Sequence, residues 1–520
     1  MDAKKTARKD IENTLWKACD SFRGKIDSSR YKDYILSMLF VKYLSDYYKE
    51  KKTEYSERYN GDERRIERAM SRERYSLSEE STFDYLYKNR TDTAIGEKIN
   101  IALSSIERSN SSKLHEVFHS IDFNSTVDFP DIKERNSTMK NLLEDFHNLD
   151  LSPKKLESKD IIGDAYEYMI ANFASDAGKK GGEFYTPSAV SELVARLVNP
   201  RVNDRIYDGT CGSGGLLLKA FAQVPDGKAR IYGQELNMQT WALCRMNMFL
   251  HNVDDAVIWH GDTIANPQNI EDDKLMKFQC IFANPPFSLD KWDSGFFADS
   301  DIEDKKQKMT AELDPYKRFE WGIPPRGKGD YAFVLHFLHS LDDINGRMGI
   351  VLPHGVLFRG AGEGKIRKAI IEQFNFLDAV IGLPANLFYG AGIPACILVF
   401  RKDRRNNDKV LFIDASGDGH FEKGKNQNIL RPEDVQKIVD TYTEYKTNPN
   451  FTGEDKFSHV ATLKEIEDND YNLNIPRYVD TFEEEPLVDI DEVKANIDAI
   501  QKELAEVQAQ MDNYMKELGL

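Results

Sequence analysis

The spacing of apolar residues changes character twice along this chain. In the first third it is helical. Tyr31 to Tyr48 sets Ile35, Met38, Leu39 and Phe40 among polar residues at roughly the 3.6-residue helical period, with Lys42, Asp46 and Lys49 turned elsewhere. The charged stretch Lys49 to Arg74 predicts a solvated helical arm or connector. Leu142, Leu143 and Phe146 continue the helical pattern. Ser152-Pro153 then opens a segment in which Ile161, Ala165, Met169 and Phe173 recur every fourth residue, until Gly178 to Gly182 interrupts it. A domain boundary is expected near residue 150. From about residue 190, short β-forming runs alternate with helical stretches: Arg205–Tyr207, Arg230–Gly233, Ala256–Trp259, Phe278–Ala283, Gly349–Leu352, Ala379–Leu383, Cys396–Phe400 and Val410–Ile413. That alternation predicts βαβ units and a mostly parallel, doubly wound sheet, whose ligands bind beyond the carboxyl ends of the strands. The second change follows Glu483-Glu484-Glu485-Pro486. Val493, Ile497, Ile500, Leu504, Val507, Met511, Tyr514 and Leu518 then recur at alternating steps of four and three, a heptad seam. A terminal helix packed on its own domain would explain the seam. Its regularity and polar surroundings favour a helix that pairs with a partner.

Composition narrows the class. The 520 residues are 40% hydrophobic and 30% charged, too many for a single core. There is no unbroken apolar stretch of about 18 residues, and Met1 to Asp10 is charged from the start, so neither a membrane span nor a secretory signal is expected. Cys19, Cys211, Cys244, Cys280 and Cys396 lie far apart without a C-x-x-C pair. They suggest no disulfide frame and no metal site, which makes a cytoplasmic setting the default. A net charge of -17 makes a poor stand-alone binder of nucleic acid, so a DNA substrate would need another subunit to hold it.

The residues with chemistry follow strands. Asp208 to Gly215 reads Asp-Gly-Thr-Cys-Gly-Ser-Gly-Gly, and its Gly212, Ser213, Gly214 and Gly215 would bring backbone N–H groups close to a ligand at an open helix N-terminus. The acidic residue ahead of the glycines suits hydroxyls and an ammonium better than a pyrophosphate. Glu235 ends the next strand, where a carboxylate accepts from ribose hydroxyls. Asp262, after the third, would accept from an adenine amino group or simply cap a turn. After the fourth strand comes Asn284-Pro285-Pro286-Phe287, a combination expected by chance on the order of once per 10⁵ positions. A rigid strand-ending turn explains the prolines but not the amide before them and the aromatic after. Methylation of an exocyclic amine explains all four. The Asn284 side-chain carbonyl and the Pro285 backbone carbonyl accept the two hydrogens of adenine N6 and stabilise the developing positive charge, and Phe287 stacks on a base swung out of the duplex. Ahead of the first strand, Phe184 and Tyr185 could pack on the methyl donor and Thr186 bond its carboxylate. Alternatively, Thr186 caps a helix beginning at Pro187. Arg326 and Lys328 could touch DNA, although a solvated loop is favoured. His336, His339 and His354 read as structural rather than as metal ligands.

Taken together, these residues resemble those of the gamma-ordered adenine-N6 DNA methyltransferases. Specifically they resemble the modification subunit of type I restriction–modification systems. The run GGEFYTPS, the stretch from Leu15-Trp16 through Phe22-Arg23-Gly24 to Tyr31-Lys32, and Asn469-Asp470-Tyr471-Asn472-Leu473 carry the narrower likeness. The resemblance implies an α/β fold: a Rossmann-like S-adenosylmethionine-dependent methyltransferase domain at 151–480, an N-terminal helical domain at 1–150 and a C-terminal coiled-coil-type docking helix at 487–520. It implies S-adenosylmethionine contacts from Glu183, Phe184, Tyr185, Thr186, Pro187, Ser188, Ser213 to Gly215 and Glu235, with the target adenine held by Asn284 to Phe287. The implied partners are double-stranded DNA, a specificity subunit that reads it, a second copy of this chain and a restriction subunit. Gly209 departs from the proline of many such relatives and is expected to loosen the loop. Two other readings compete: a methyltransferase acting on a glutamine side-chain amide, which presents the same nitrogen chemistry, and a scaffold that has lost turnover.

Overall fold

The computed structural model of the chain describes residues 5–158, 160–177, 182, 184–297, 308–404, 408–417, 419–481 and 490–519. Met1–Val479 form one compact unit and Asp480–Leu520 a second. The first opens with helices α1 (Arg8–Phe22), α2 (Ser28–Arg58), α3 (Glu63–Met70), α4 (Phe83–Lys88), α5 (Ile95–Ser109), α6 (Ser111–Leu114), α7 (Ile132–His147) and α8 (Ile161–Ala177). Every residue from Tyr31 to Asp46 is buried, so α2 runs through the middle of this layer and has no solvent face there. Lys42 and Asp46, which the sequence pattern turned away, instead lie inside. They neutralise each other at 2.8 Å, and Asp46 also accepts from the Leu151 N–H at 2.8 Å. The charged stretch after Lys49 is not one arm either. α2 continues to Arg58, the chain reverses at Asn60 and Gly61, both with positive φ, and α3 returns with Ile66 and Met70 buried. Arg74 then fastens the stretch to Asp254 and to the Phe249 carbonyl.

Beyond α9 (Ser188–Val198) the chain lays down nine strands of one sheet: β1 (Arg205–Asp208), β2 (Arg230–Glu235), β3 (Val257–His260), β4 (Cys280–Ala283), β5 (Arg347–Pro353), β6 (Leu377–Gly382), β7 (Ala395–Arg401), β8 (Lys409–Asp414) and β9 (Ser458–Thr462). Their order across the sheet is β9-β8-β6-β7-β5-β4-β1-β2-β3. All neighbours are parallel except β7, antiparallel to both β5 and β6, and β9, antiparallel to β8. The remaining helices are α10 (Gly215–Ala222), α11 (Met238–Leu250), α12 (Asp330–Ser340), α13 (Ala361–Lys368), α14 (Pro432–Thr447) and α15 (Leu463–Asp468). Successive strand residues feed opposite cores. Ile206, Cys280 and Phe282 pack with α9, α10, α11 and α14, whereas Tyr207, Ile281 and Ala283 pack with α12. Central strands buried on both faces are apolar throughout, which is why they stand out as short unbroken runs.

The chain returns from β3 to place β4 on the other side of β1. This reversal of strand order opens a crevice above the carboxyl ends of β1 and β4. The second unit contains helix α16 (Ile490–Glu517), along which the seam residues are exposed, from 43% at Val493 to 74% at Leu518. Among the described residues no helix is long and apolar enough to cross a membrane.

Candidate active site

The crevice is lined by Gly182, Phe184, Tyr185, Thr186, Asp208, Thr210, Cys211, Gly212, Ser213, Gly215, Leu216 and Asn284. Asp208 forms its floor. It is 1% exposed and accepts from the Thr210 N–H at 2.8 Å and, at 3.3 Å, from the Thr210 hydroxyl. Burial pushes its carboxyl up to about 7 despite those two bonds. At the tip of β2, Glu235 accepts from the Gly212 N–H at 3.0 Å and from the Asn237 N–H at 2.8 Å. Burial raises the pKa of this carboxyl, and the backbone amides partly oppose it.

The glycine loop is shaped from inside rather than left open. The Gly212 N–H goes to Glu235, the Ser213 N–H to the Phe184 carbonyl at 3.0 Å and the Gly214 N–H to the Cys211 carbonyl at 2.8 Å. These amides are therefore not presented to a ligand as the sequence suggested; the glycines permit the path. Gly214 caps α10 at φ 85°, and a Cβ there would come within 3 Å of Met248 and Cys244 beneath it. Nor does Gly209 loosen the loop. A Cβ on it would meet Phe337, Thr263 and Tyr207 at 2.8 Å, so the backbone is enclosed.

Asn284 stands at the end of β4 and lines the same crevice as the start of α10. Its Nδ2 donates to the Thr186 hydroxyl at 3.0 Å. The helix after Thr186 begins at Ser188 with Pro187 in the cap position and without a side-chain capping bond, so Thr186 is not the cap. Pro285 is buried and Pro286 exposed; the half-buried Phe287 ring meets Phe388 edge-on at 5.7 Å. The exit from this turn is pinned by two residues that sequence reasoning passed over. Ser288 has φ 54°, and its N–H donates to Asp330 at 2.7 Å, while Arg359 holds the other oxygen of the same fully buried carboxylate at 2.5 Å. The only local signal was an acidic residue opening α12; the partner is 42 residues away in the chain.

Of the other expected site residues, Pro187 and Ser188 start α9 beside the crevice without lining it. Asp262 spends Oδ1 on the N–H groups of Ile264 and Ala265, as a turn cap does. Glu183, Gly178 to Gly181 and Glu483 to Pro486 lie outside the described residues. Arg326 pairs with Asp293 at 3.1 Å, and Lys328 is exposed. His336 is a core residue between Arg318 and Tyr207, each 3.1 Å away. Arginine can only donate to Nδ1, so Nε2 carries the proton, and burial keeps the ring neutral.

The family described as N-6 DNA Methylase matches residues 157–486, and the HsdM N-terminal domain matches residues 11–146. The type I restriction enzyme MpnII methylase subunit of Mycoplasma pneumoniae is 31% identical, over 100% of this chain and 98% of its own length. The HindI methylase subunit of Haemophilus influenzae is 34% identical over 71% of this chain and 80% of its own. Among solved structures, the methyltransferase subunit of a type I restriction–modification system from Streptococcus thermophilus superposes with a TM-score of 0.78. It is 34% identical, covering 91% of this chain and 100% of that one. These likenesses set aside the glutamine-amide and silent-scaffold readings. Matched along its whole length, the chain belongs to the N-6 DNA methylase family, in the branch of type I restriction–modification methylase subunits.

Proposed function

We propose that the crevice holds S-adenosylmethionine between the glycine loop and the Phe184–Thr186 segment, and that Asn284 to Phe287 receive an adenine swung out of duplex DNA. The side chains fit that donor. Asp208, in the crevice lining, offers a carboxylate to an ammonium, Glu235, held behind the loop by the Gly212 N–H, offers one to ribose hydroxyls, and Phe184 and Tyr185 supply apolar surface in the same lining. Bound there, the donor supplies an electrophilic methyl on a positively charged sulfur. The chain's own task is to make a weakly nucleophilic amine react. Asn284 Oδ1 and the Pro285 carbonyl accept the two N6 hydrogens, drawing the nitrogen lone pair out of the ring and stabilising the charge that grows on it. The prolines keep both acceptors from reorganising, and Phe287, braced by Phe388, stacks on the extruded base.

The observation that carries this reading is that Asn284 and the glycine loop line one and the same crevice. Its test is methyl transfer to an adenine-containing duplex by the chain together with its specificity subunit. Asn284→Ala is expected to abolish transfer while donor binding persists. Normal turnover by that variant would overturn the assignment.

The acidic chain leaves DNA reading to the specificity subunit, with a second copy of this chain and the restriction subunit completing a cytoplasmic assembly. The exposed seam of α16 is the docking helix for the specificity subunit. Deleting residues 487–520 is expected to abolish that association without weakening donor binding, and an assembly that survives the deletion refutes the docking role.

A further inference from the structure

We infer that Thr186 is a positioning residue for the transfer step, acting through Asn284; the inference rests on the function proposed above for that asparagine. An amide side chain has two nearly equivalent faces, and only one orientation serves the reaction. With Nδ2 spent on an acceptor, Oδ1 is left to receive an N6–H. Turned over, the amide would set its own N–H groups against those of the adenine, donor against donor. Asn284 Nδ2 lies 3.0 Å from Thr186 Oγ1, a contact across 98 residues of sequence that holds the amide in the productive orientation.

The acceptor itself is firmly placed. Thr186 sits between Tyr185 and Pro187, whose ring fixes the backbone at the start of α9. Two residues earlier, the Phe184 carbonyl accepts from the Ser213 N–H at 3.0 Å, tying the segment to the glycine loop. On its other side, a Cβ on Gly182 would lie 2.4 Å from the Tyr389 carbonyl, and the Tyr185 and Tyr389 rings are 5.9 Å apart. Held between those two loops, Thr186 cannot follow a rotating amide. A hydroxyl carries one proton and two acceptor sites, so while Oγ1 accepts from Asn284 its proton remains for a second partner. The carboxylate of the methyl donor is the group placed to take it. A hydroxyl that donates to that carboxylate can only accept from Asn284, so donor binding locks the amide in the orientation that the adenine needs.

Thr186→Val keeps the shape and removes the acceptor. Measured in the complex with the specificity subunit, at saturating donor, the single-turnover methylation rate is expected to fall about tenfold, the effect of one hydrogen bond in a preorganised site. The donor dissociation constant should rise as well, by about tenfold, because Thr186→Val also removes the hydroxyl's bond to the donor carboxylate; the rate at saturating donor is the readout that separates positioning from binding. Thr186→Ser should restore the rate. A normal rate for Thr186→Val, or a loss confined to donor affinity with the saturated rate intact, would overturn the inference. The two readings separate cleanly: full activity of Asn284→Ala defeats the proposed function itself, whereas an inactive Asn284→Ala beside a fully active Thr186→Val defeats only this positioning role.

Discussion

The Asp208 carboxylate gives the sharpest handle on the crevice, because its burial ties donor binding to pH with a calculable slope. An ordinary aspartate has a pKa of 3.8; here burial places it at about 7. Between those values the folded chain keeps a proton that the unfolded chain has released. The stability contributed by this group is therefore complete below pH 3.8 and lost as pH rises through about 7. Binding a cationic ligand has the opposite sign, since an ammonium needs the ionised carboxylate. Affinity for S-adenosylmethionine should fall about tenfold per pH unit below about 7, leaving it roughly tenfold weaker at pH 6 than on the plateau. Calorimetry on the purified chain between about pH 5 and about 7 would measure this, a range below the α-amino pKa of about 7.7–8.0, where the donor's own ammonium stays largely protonated. Asp208→Asn should bind more weakly and show no slope. 5′-Methylthioadenosine, which shares the nucleoside but has no ammonium, should bind with a flat profile. A flat profile for the wild-type chain, or the same slope with Asp208→Asn or with 5′-methylthioadenosine, would refute the assignment of this carboxylate to the ammonium.

Asp330→Ala removes the acceptor for the Ser288 N–H and strips Arg359 of one of its two carboxylate partners, leaving Glu363, and costs about 1–3 kcal/mol by thermal denaturation. Because Ser288 directly follows the Asn-Pro-Pro-Phe turn, the methylation rate should fall while donor affinity holds; an equal loss of both would show a general unfolding effect. Asp46→Ala strands Lys42 in the helical core and should destabilise the chain by about 3–5 kcal/mol, whereas Lys42→Met combined with Asp46→Leu should cost only about 1–3 kcal/mol in the same melt, the share of the Leu151 N–H that loses its acceptor. Gly209→Ala drives a methyl group into Phe337, Thr263 and Tyr207 and should lower stability by about 1–3 kcal/mol, read as a lower denaturant midpoint at unchanged slope.

The eight strands read from the sequence carry short β-forming runs; most are buried on both faces, and β3, at the sheet edge, buries only Ile258. The ninth, Ser458–Thr462, went unread because Ser-His-Val-Ala-Thr offers no apolar run and pairs on one side only, at the edge of the sheet. Strand direction was equally hidden: β7 is as apolar as its neighbours, and nothing in Ala395–Arg401 tells that it runs against them. The helical layer misled for a different reason. Lys42 and Asp46 look like a solvent face until each is seen to neutralise the other inside. At the crevice, residue types singled out particular strand tips and loops, and the fold brings Thr186, Asp208, Ser213 and Asn284 from among them to one place. What stayed illegible were contacts between distant segments: the Thr186–Asn284 bond, the Asp330 pin and the Asn247 amide that donates to the Ser213 carbonyl at 2.9 Å.

That last bond belongs to α11, which is a party wall. Leu243, Met246, Phe249 and Leu250 lie in the hydrophobic core of the N-terminal helices, while Cys244, Asn247 and Met248 underlie the glycine loop from the same helix. An engineer transplanting residues 1–150 from a relative would therefore need to move the inward face of α11 with them. A chimera cut after residue 150 alone would tilt this wall and, with it, the floor beneath the glycine loop.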